Sequence, residues 1–283
     1  MSIGTTARYS GEAGRHRRLR MVLLVLALAY VGILLLAPIG GIVWTVVKGG
    51  WHVVTSTLGR ADVRHAYVLT AIITVVTVAV TSVFGVLVAL VVTRDSFPGK
   101  RLVSAIVDLP LAVSPVIVGL MAVLLFGRGG WFEPFFARRG IQIIFALPSM
   151  IIVTIFICIP FVIREVAPVL EELGTEEEDA ARTLGASSLQ TFFRVTLPNV
   201  RWGLLYGMAL SAARALGEIG AVLIVSGAIQ GQTETATLYV LRAIEERQDQ
   251  AGYLVALTLA GASIVLLAAI EIFKRKRVKE LST

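Results

Sequence analysis

Residues 21–47 read MVLLVLALAYVGILLLAPIGGIVWTVV, a run of 27 residues that contains no charge. Three more uncharged runs follow along the chain, at residues 66–93, 140–163 and 250–270. About 20 consecutive apolar residues are enough for a helix to cross the hydrocarbon core of a bilayer. The sequence therefore predicts a protein that crosses a membrane several times.

The composition of the 283-residue chain agrees with this interpretation. Hydrophobic residues make up 56% of the chain and charged residues 16%, and the mean hydropathy is +0.82. Soluble domains are usually about 45–50% apolar and about 25% charged. We therefore exclude a soluble enzyme, a disordered chain and a scaffold held together by disulfides.

Two further apolar stretches contain isolated charges. Residues 102–127 include Asp108, and residues 202–227 include Arg214 and Glu218. We expect helices throughout, because lipid cannot satisfy the hydrogen bonds of an open backbone. The sequence thus predicts an all-α membrane protein with six transmembrane helices, at residues 21–47, 66–93, 102–127, 143–163, 203–226 and 251–273.

The basic residues are divided unequally between the two sides of the membrane. One side holds 17 of them and the other side 8. The positive-inside rule places the richer side in the cytoplasm, which makes the protein a multi-pass cell-membrane protein with both termini cytoplasmic. The predicted organisation is a basic segment at 1–20, a six-helix permease domain at 21–273 and a basic tail at 274–283.

The longest predicted cytoplasmic segment, residues 164–201, carries signals for short helices. Gly174 can end one helix, and Thr175 with Glu178 three residues later can form a capping box that starts the next. Gly185 suits the left-handed position that follows a helix. The sequence therefore predicts a pair of short helices outside the membrane, separated at this glycine.

Such a pair of helices has three possible roles. It can dock into another protein, it can cover the end of the helix bundle, or it can bind DNA as a helix-turn-helix. Residues 165–179 contain seven acidic residues, which the phosphates of a nucleic acid would repel. We therefore predict no nucleic-acid partner, and the first two roles stay open on the residues alone.

The order of residues in this segment resembles the EAA loop of ABC importer permeases. That pattern is Glu-Ala-Ala, three residues, Gly, nine residues, Ile, any residue and Leu-Pro. Asp179-Ala180-Ala181, Gly185 and Val195-Thr196-Leu197-Pro198 keep its spacing, with conservative changes at the first and seventeenth positions. The resemblance implies a type I ABC importer permease with a coupling helix that sits in a cleft of an ATP-hydrolysing subunit. It assigns coupling to Glu178, Asp179, Ala180, Ala181, Gly185 and Ala186.

Other segments are similar to the sulfate and thiosulfate permeases, and residues 225–235 are most similar to their W subunits. These segments are DLPLAVSPVIVG at 108–119, PFVIRE at 160–165 and ARALGEIGAV at 213–222. The resemblance implies sulfate or thiosulfate transport by a heterodimer with a T-type permease, together with two ATP-binding subunits and a sulfate-binding protein. A molybdate or tungstate permease is one alternative, and a secondary transporter without an ATPase is a more distant one.

Charged and polar residues inside the spans are candidates for the transport path. Arg214 and Glu218 share one helix face, and charges at this depth usually face the bundle interior or a water-filled cavity. They either attract a dianion or form a structural ion pair. Ser114 and Pro115 can break the third span and expose donors that suit a tetrahedral oxyanion, or they form a kink that serves packing alone.

No catalytic or metal-binding pattern occurs in the chain. The single cysteine, Cys158, lies in an apolar run, where packing is its expected role. The three histidines are scattered outside the predicted spans, so we expect no metal site. The phosphate-binding pattern GxxxxGK[ST] is absent. The chain is therefore expected to be a transport subunit that binds no cofactor, with ATP and Mg²⁺ held by partner subunits.

Overall fold

The structure is a computed structural model that describes the backbone of residues 6–281 and the side chains of residues 20–273. Most of the described residues are helical, and no strand occurs among them. The basic segment 1–20, apart from Arg20, and the basic tail 274–283 lie outside the described side chains. The predicted roles of these two segments in orientation therefore remain predictions.

Twelve helices and one π-helical turn follow one another along the described chain. They are α1 Thr6–Gly59, α2 Ala61–Arg94, α3 Lys100–Ala112, α4 Pro115–Phe126, α5 Glu133–Ala137, α6 Leu147–Leu173, α7 Glu176–Thr183, α8 Ser188–Thr191, the π-helical turn Phe192–Thr196, α9 Leu197–Leu216, α10 Gly220–Ser226, α11 Ala236–Glu245 and α12 Asp249–Leu281.

The chain forms two compact units, residues 1–53 and residues 54–283. The described part of the first unit belongs to α1. This helix is interrupted at Gly50, whose φ of 64° and ψ of −171° are open only to glycine. The part of α1 from Arg20 to Gly59 contains an 18-residue window with a mean hydropathy of 2.8, which agrees with the first predicted span.

Long apolar helices account for three of the predicted spans in the second unit, and they are α2, α6 and α12. The predicted start of the fourth span at residue 143 is wrong, because α6 begins at Leu147. Phe145 has a φ of 60° and Ala146 is extended, so the backbone is not helical just before this point. Pro148 then lies in the first turn, a position that proline favours.

The third and fifth predicted spans are broken helices rather than single rods. The break between α3 and α4 bends the chain by 111°, and the break between α9 and α10 bends it by 55°. Proline explains the first break, because Pro115 forces Ser114 into an extended conformation with a ψ of 135°. Among the described residues, four helices are long enough to span a membrane, or six if each bent pair counts as one span.

Close packing of α2, α6 and α9 forms the centre of the second unit. Val162 of α6 is fully buried, and glycines of both neighbouring helices lie against it. A Cβ atom at Gly85 would lie 2.7 Å from Val162 Cγ1, and one at Gly207 would lie 2.9 Å from Val162 Cα. Small residues at these positions allow the helix backbones to approach closely.

The two short helices predicted between the fourth and fifth spans are present as α7 and α8. Gly174 and Gly185 precede and separate them with φ values of 64° and 89°. A capping box does form at α8, where the Gln190 N–H donates to Ser187 Oγ and the Ser187 N–H donates to Gln190 Oε1. The predicted capping box at Thr175 does not form.

Candidate functional site

The carboxylate of Glu178 is buried at the start of α7, where it joins three elements of the bundle. The residue is 8% exposed. Its Oε1 accepts a hydrogen bond from Arg94 Nη2 at 3.2 Å and another from Thr196 Oγ1 at 2.9 Å. These contacts explain why the predicted box at Thr175 is missing, because its Glu178 partner is engaged elsewhere.

Arg94 is the last residue of α2 and connects that helix to α6 as well as to α7. Its Nη1 donates to the carbonyl oxygen of Leu170 at 3.0 Å. Leu170 belongs to the last turn of α6, where carbonyl groups have no partner within the helix. An arginine placed there satisfies one of these carbonyls and complements the negative end of the helix dipole.

A π-helical turn carries Thr196 to the buried carboxylate. The N–H of Leu197 donates to the carbonyl of Phe192, five residues earlier, which defines this wider turn. Pro198 follows and has no N–H to continue the helical hydrogen bonds. In the first turn of α9, Asn199 Nδ2 donates to Glu177 Oε2 at 2.5 Å. The first turn of α7 is therefore attached to the start of α9 through two adjacent glutamates.

The far end of the α7–α8 segment, residues 182–193, presents apolar side chains to the surroundings. Leu184 is 89% exposed, Leu189 is 70% exposed and Phe193 is 59% exposed. Gly185 lies between these positions, and a Cβ there would meet no atom within 4 Å. Large exposed apolar patches usually mark a protein or membrane contact.

The six residues to which the sequence assigns coupling differ in their exposure in the structure. Asp179, Ala180 and Gly185 are exposed, and Ala181 and Ala186 are half-buried. Glu178 alone points into the bundle, where its partners are Arg94 and Thr196. Five of the six residues are therefore available to a partner protein, whereas the sixth holds the segment in place.

The second candidate site is the break between α9 and α10. Arg214 Nη1 lies 2.7 Å from Glu218 Oε2, and the Glu218 side chain is 2% exposed while that of Arg214 is 30% exposed. The other carboxylate oxygen of Glu218 accepts the backbone N–H of Ala221 at 2.8 Å, at the start of α10. Glu218 therefore caps α10 and pairs with Arg214 at the same time.

The two broken spans lie side by side at this point. A Cβ atom at Gly220 would lie 3.0 Å from Pro115 Cβ, so the starts of α4 and α10 are in contact. Ser114 is exposed, and its side chain does not cap α4. The structure therefore brings the Ser114-Pro115 break next to the Glu218 break, although these residues come from different predicted spans.

A charged cluster at the opposite end of the bundle was missed in the sequence. Arg242 of α11 donates to Glu234 Oε1 at 2.6 Å and to Asp62 Oδ2 at 3.2 Å. The hydrogen bond to Glu234 raises the pKa of the Arg242 guanidinium above its ordinary value, so this group stays charged. No spacing along the chain signals this cluster, because Asp62 and Arg242 are 180 positions apart.

A sequence profile and two curated relatives match most of this chain. Residues 82–279 match the family described as "Binding-protein-dependent transport system inner membrane component". The sulfate transport system permease protein CysW of Synechocystis sp. is 44% identical over 92% of this chain and 94% of its own length. The sulfate transport system permease protein CysT of Salmonella typhimurium is 36% identical over 86% of this chain and 88% of its own length.

A solved structure shares the fold at low sequence identity. It is a bacterial alginate ABC transporter in complex with an alginate pentasaccharide-bound periplasmic protein. The TM-score is 0.78, the identity is 16%, and the match covers 95% of this chain and 98% of the solved chain. At this identity the similarity concerns the fold alone, and the fold is that of an ABC importer permease.

Proposed function

The chain belongs to the family of binding-protein-dependent transport system inner membrane components, and we propose that it is the permease subunit of an ATP-driven importer for sulfate and thiosulfate. Relatives that are similar over most of the chain carry the name of sulfate transport system permeases. The subunit moves an anion across the membrane and performs no chemical reaction on it. Its route is alternating access, in which the path opens to one side at a time.

One observation carries this proposal, and it is the architecture of the α7–α8 segment. Hydrogen bonds of Arg94, Glu178 and Thr196 connect its start to the ends of α2, α6 and α9. Its far end exposes apolar side chains around Gly185. A segment that is attached to the bundle and also exposes an apolar surface can be displaced by a partner and can pass that movement to the spans.

The partners of the importer follow from the family and from what this chain lacks. The sequence contains no GxxxxGK[ST] pattern, so ATP and Mg²⁺ belong to two separate ATP-binding subunits. One matching relative is a T-type permease, which supports a heterodimer of two related permeases. A sulfate-binding protein delivers the anion to this pair from outside. The docking residues for the ATP-binding subunit are Asp179, Ala180, Ala181, Gly185 and Ala186.

The topology that fits this function has six spans, with two of them broken, and both termini in the cytoplasm. The permease domain is 21–273, the coupling loop is 164–201, and the segments 1–20 and 274–283 are cytoplasmic.

Cys158 is buried and is the only cysteine, so a Leu184→Cys variant can be labelled selectively. Membrane-impermeant maleimide should label it in inside-out vesicles and not in right-side-out vesicles; the reverse pattern would contradict this topology.

The transport cycle consists of two conformations that nucleotide binds with different affinity. ATP binding closes the ATP-binding subunits, and the α7–α8 segment carries this movement to the spans. The path then opens to the outside and accepts the anion, and hydrolysis returns it to the inside. The adjacent breaks at Ser114-Pro115 and at Arg214–Glu218 line that path, and the cation of Arg214 attracts the dianion.

Uptake in cells tests the function directly. Labelled sulfate uptake is measured in a strain that lacks this chain and again after the gene is restored, with thiosulfate or molybdate as competitor. We expect restored uptake that thiosulfate blocks more strongly than molybdate does. Restored uptake that is blocked mainly by molybdate would change the assigned substrate to molybdate. Sulfate uptake that does not depend on the chain would contradict the sulfate assignment.

A further inference from the structure

The first turn of α7 and the rest of the α7–α8 segment differ sharply in their surroundings. Glu178 is almost completely buried, and the side chain of its partner Arg94 is 17% exposed. Directly after Glu178, the pair formed by Asp179 and Arg182 is exposed, with side chains 60% and 57% accessible and a separation of 3.7 Å. The buried ion pair of the segment therefore lies in the first turn of α7.

The buried point touches three separate helices of the bundle. Arg94 is the last residue of α2, and its Nη1 donates a hydrogen bond to the carbonyl oxygen of Leu170 in α6. Thr196 is the residue immediately before α9. Any displacement of the Glu178 carboxylate must therefore move the ends of these helices or break hydrogen bonds to a charged group. Removing one partner from a buried ion pair is strongly unfavourable, because the remaining buried charge has no compensating charge.

From this geometry we infer that Arg94, Glu178 and Thr196 form the joint through which the coupling segment moves α2, α6 and α9. In this role Glu178 and Arg94 are positioning residues, since they bind each other and the ends of neighbouring helices. The inference rests on the proposed function, because it concerns the transfer of ATP-driven movement to the transport path. It also removes Glu178 from the surface that docks on the ATP-binding subunit.

The joint predicts a defect in coupling rather than in ATP hydrolysis. The complete transporter, reconstituted in liposomes with its partner subunits and binding protein, is compared as wild type, Glu178→Gln and Arg94→Gln. Sulfate uptake and ATP hydrolysis are measured in the same vesicles. We expect assembled complexes that still hydrolyse ATP, with sulfate transported per ATP lowered about tenfold, within the usual range of coupling between distant sites.

Two further variants separate the joint from a general loss of charge or stability. Arg101→Gln is the matched control, because Arg101 flanks the same short loop as Arg94 and is exposed. It removes one basic charge from the same side of the membrane and should leave transport per ATP unchanged. Thr196→Val keeps the shape and removes one donor to Glu178, so it should give an intermediate ratio even if the charge variants fail to assemble.

The possible results distinguish failure of the joint from failure of the function. Wild-type uptake with an unchanged ratio in assembled Glu178→Gln and Arg94→Gln would overturn the joint alone. If both charge variants fail to assemble, an unchanged ratio in Thr196→Val would overturn it as well. A wild-type complex that shows no ATP-driven sulfate uptake would overturn the proposed function and the joint with it.

Discussion

Two arginine–glutamate ion pairs in this protein have similar burial but different positions in the fold. In each pair the glutamate is almost fully buried, while the arginine is partly accessible. Arg94 and Glu178 are 84 positions apart and connect separate helices, whereas Arg214 and Glu218 are one helical turn apart. The first pair joins elements that move relative to one another in the proposed transport cycle. The second shapes the break between α9 and α10.

The comparison shows that burial and charge do not by themselves define a role. An ion pair between two helices fixes their relative position, so its loss should change how movement is transmitted from one helix to the other. A pair within one turn holds a local conformation, so its loss should change what that conformation presents to the anion. Variants of each pair, and of the α9 stretch between them, can separate these two effects.

The largest expected effect comes from α9 between the two pairs. Gly207→Val would place a side chain against the α6 backbone, where even a Cβ lies 2.9 Å from Val162 Cα. Overpacking a tight core usually costs about 1–3 kcal/mol, and here backbone must move. We expect little assembled complex after affinity purification and a lower melting temperature for what remains.

The matched control for that substitution is Gly261→Val in α12, where a Cβ would have open space. It introduces the same side chain into another helix and should assemble like the wild type. Normal assembly of Gly207→Val would show that α6 and α9 are not tightly linked, and the two pairs would then act independently.

Next in size is a substitution beyond the buried joint, at the exposed end of the segment. Gly185 has a φ of 89°, a conformation that a β-branched residue adopts only under strain. A Gly185→Val variant should keep its ATP-binding partner and hydrolyse ATP, while sulfate transported per ATP falls on the order of tenfold to a hundredfold. Simultaneous assays of hydrolysis and uptake give this ratio.

Gly231→Val is a suitable comparison for Gly185→Val, since Gly231 also has a positive φ, of 70°, and lies outside the coupling segment. Backbone strain alone should then reduce both activities together without changing their ratio. Normal transport per ATP in Gly185→Val would mean that the exposed end of the segment is not the contact with the ATPase.

A moderate effect is expected at the local pair. Removing the Arg214 cation should lower the attraction for a dianion, and Arg214→Ala should reduce sulfate uptake about tenfold, equivalent to about 1.4 kcal/mol. ATP hydrolysis stimulated by the loaded binding protein should fall with it, so the ratio stays near that of the wild type. Uptake at several sulfate concentrations measures the change.

Glu218→Gln sharpens this prediction, because glutamine can still accept the Ala221 N–H but carries no charge. Retained uptake there, with reduced uptake in Arg214→Ala, would assign the effect to the cation. Unchanged uptake in an assembled Arg214→Ala complex would instead make the pair purely structural.

The smallest effect is expected at the capping box of α8. Ser187→Ala removes the side-chain oxygen that accepts the Gln190 N–H, and loss of an N-cap costs about 1 kcal/mol. Because α8 has only four residues and is continued by the π-helical turn, uptake should fall by no more than about twofold. Ser187→Asp should restore it, and a complete loss of uptake in Ser187→Ala would give the cap a larger role than its hydrogen bonds justify.

The difference between the two pairs also explains what could be predicted from the sequence. The membrane helices, the break at Pro115 and the short helices around Gly185 depend on residues close together in the chain. Such local signals identified Arg214 and Glu218, which share a helix face. Nothing in the order of residues relates Arg94 to Glu178, so their contact required the three-dimensional arrangement.

The same limit accounts for the wrong predictions. Thr175 and Glu178 have the spacing of a capping box, but Arg94 and a threonine hydroxyl bind the carboxylate instead. The fourth span begins later than predicted because the apolar residues before Leu147 lie in a non-helical turn. Hydrophobicity alone does not distinguish a helix in lipid from an apolar loop packed against it.

The central claim is that this chain turns ATP hydrolysis in a partner into the movement of sulfate. Its most direct test is sulfate accumulation in liposomes that contain the complete transporter, supplied with ATP, with no nucleotide, or with an ATP-binding subunit that cannot hydrolyse ATP. The account predicts accumulation only with ATP and an active partner. Equal accumulation without the ATP-binding subunits, driven by an ion gradient alone, would contradict it.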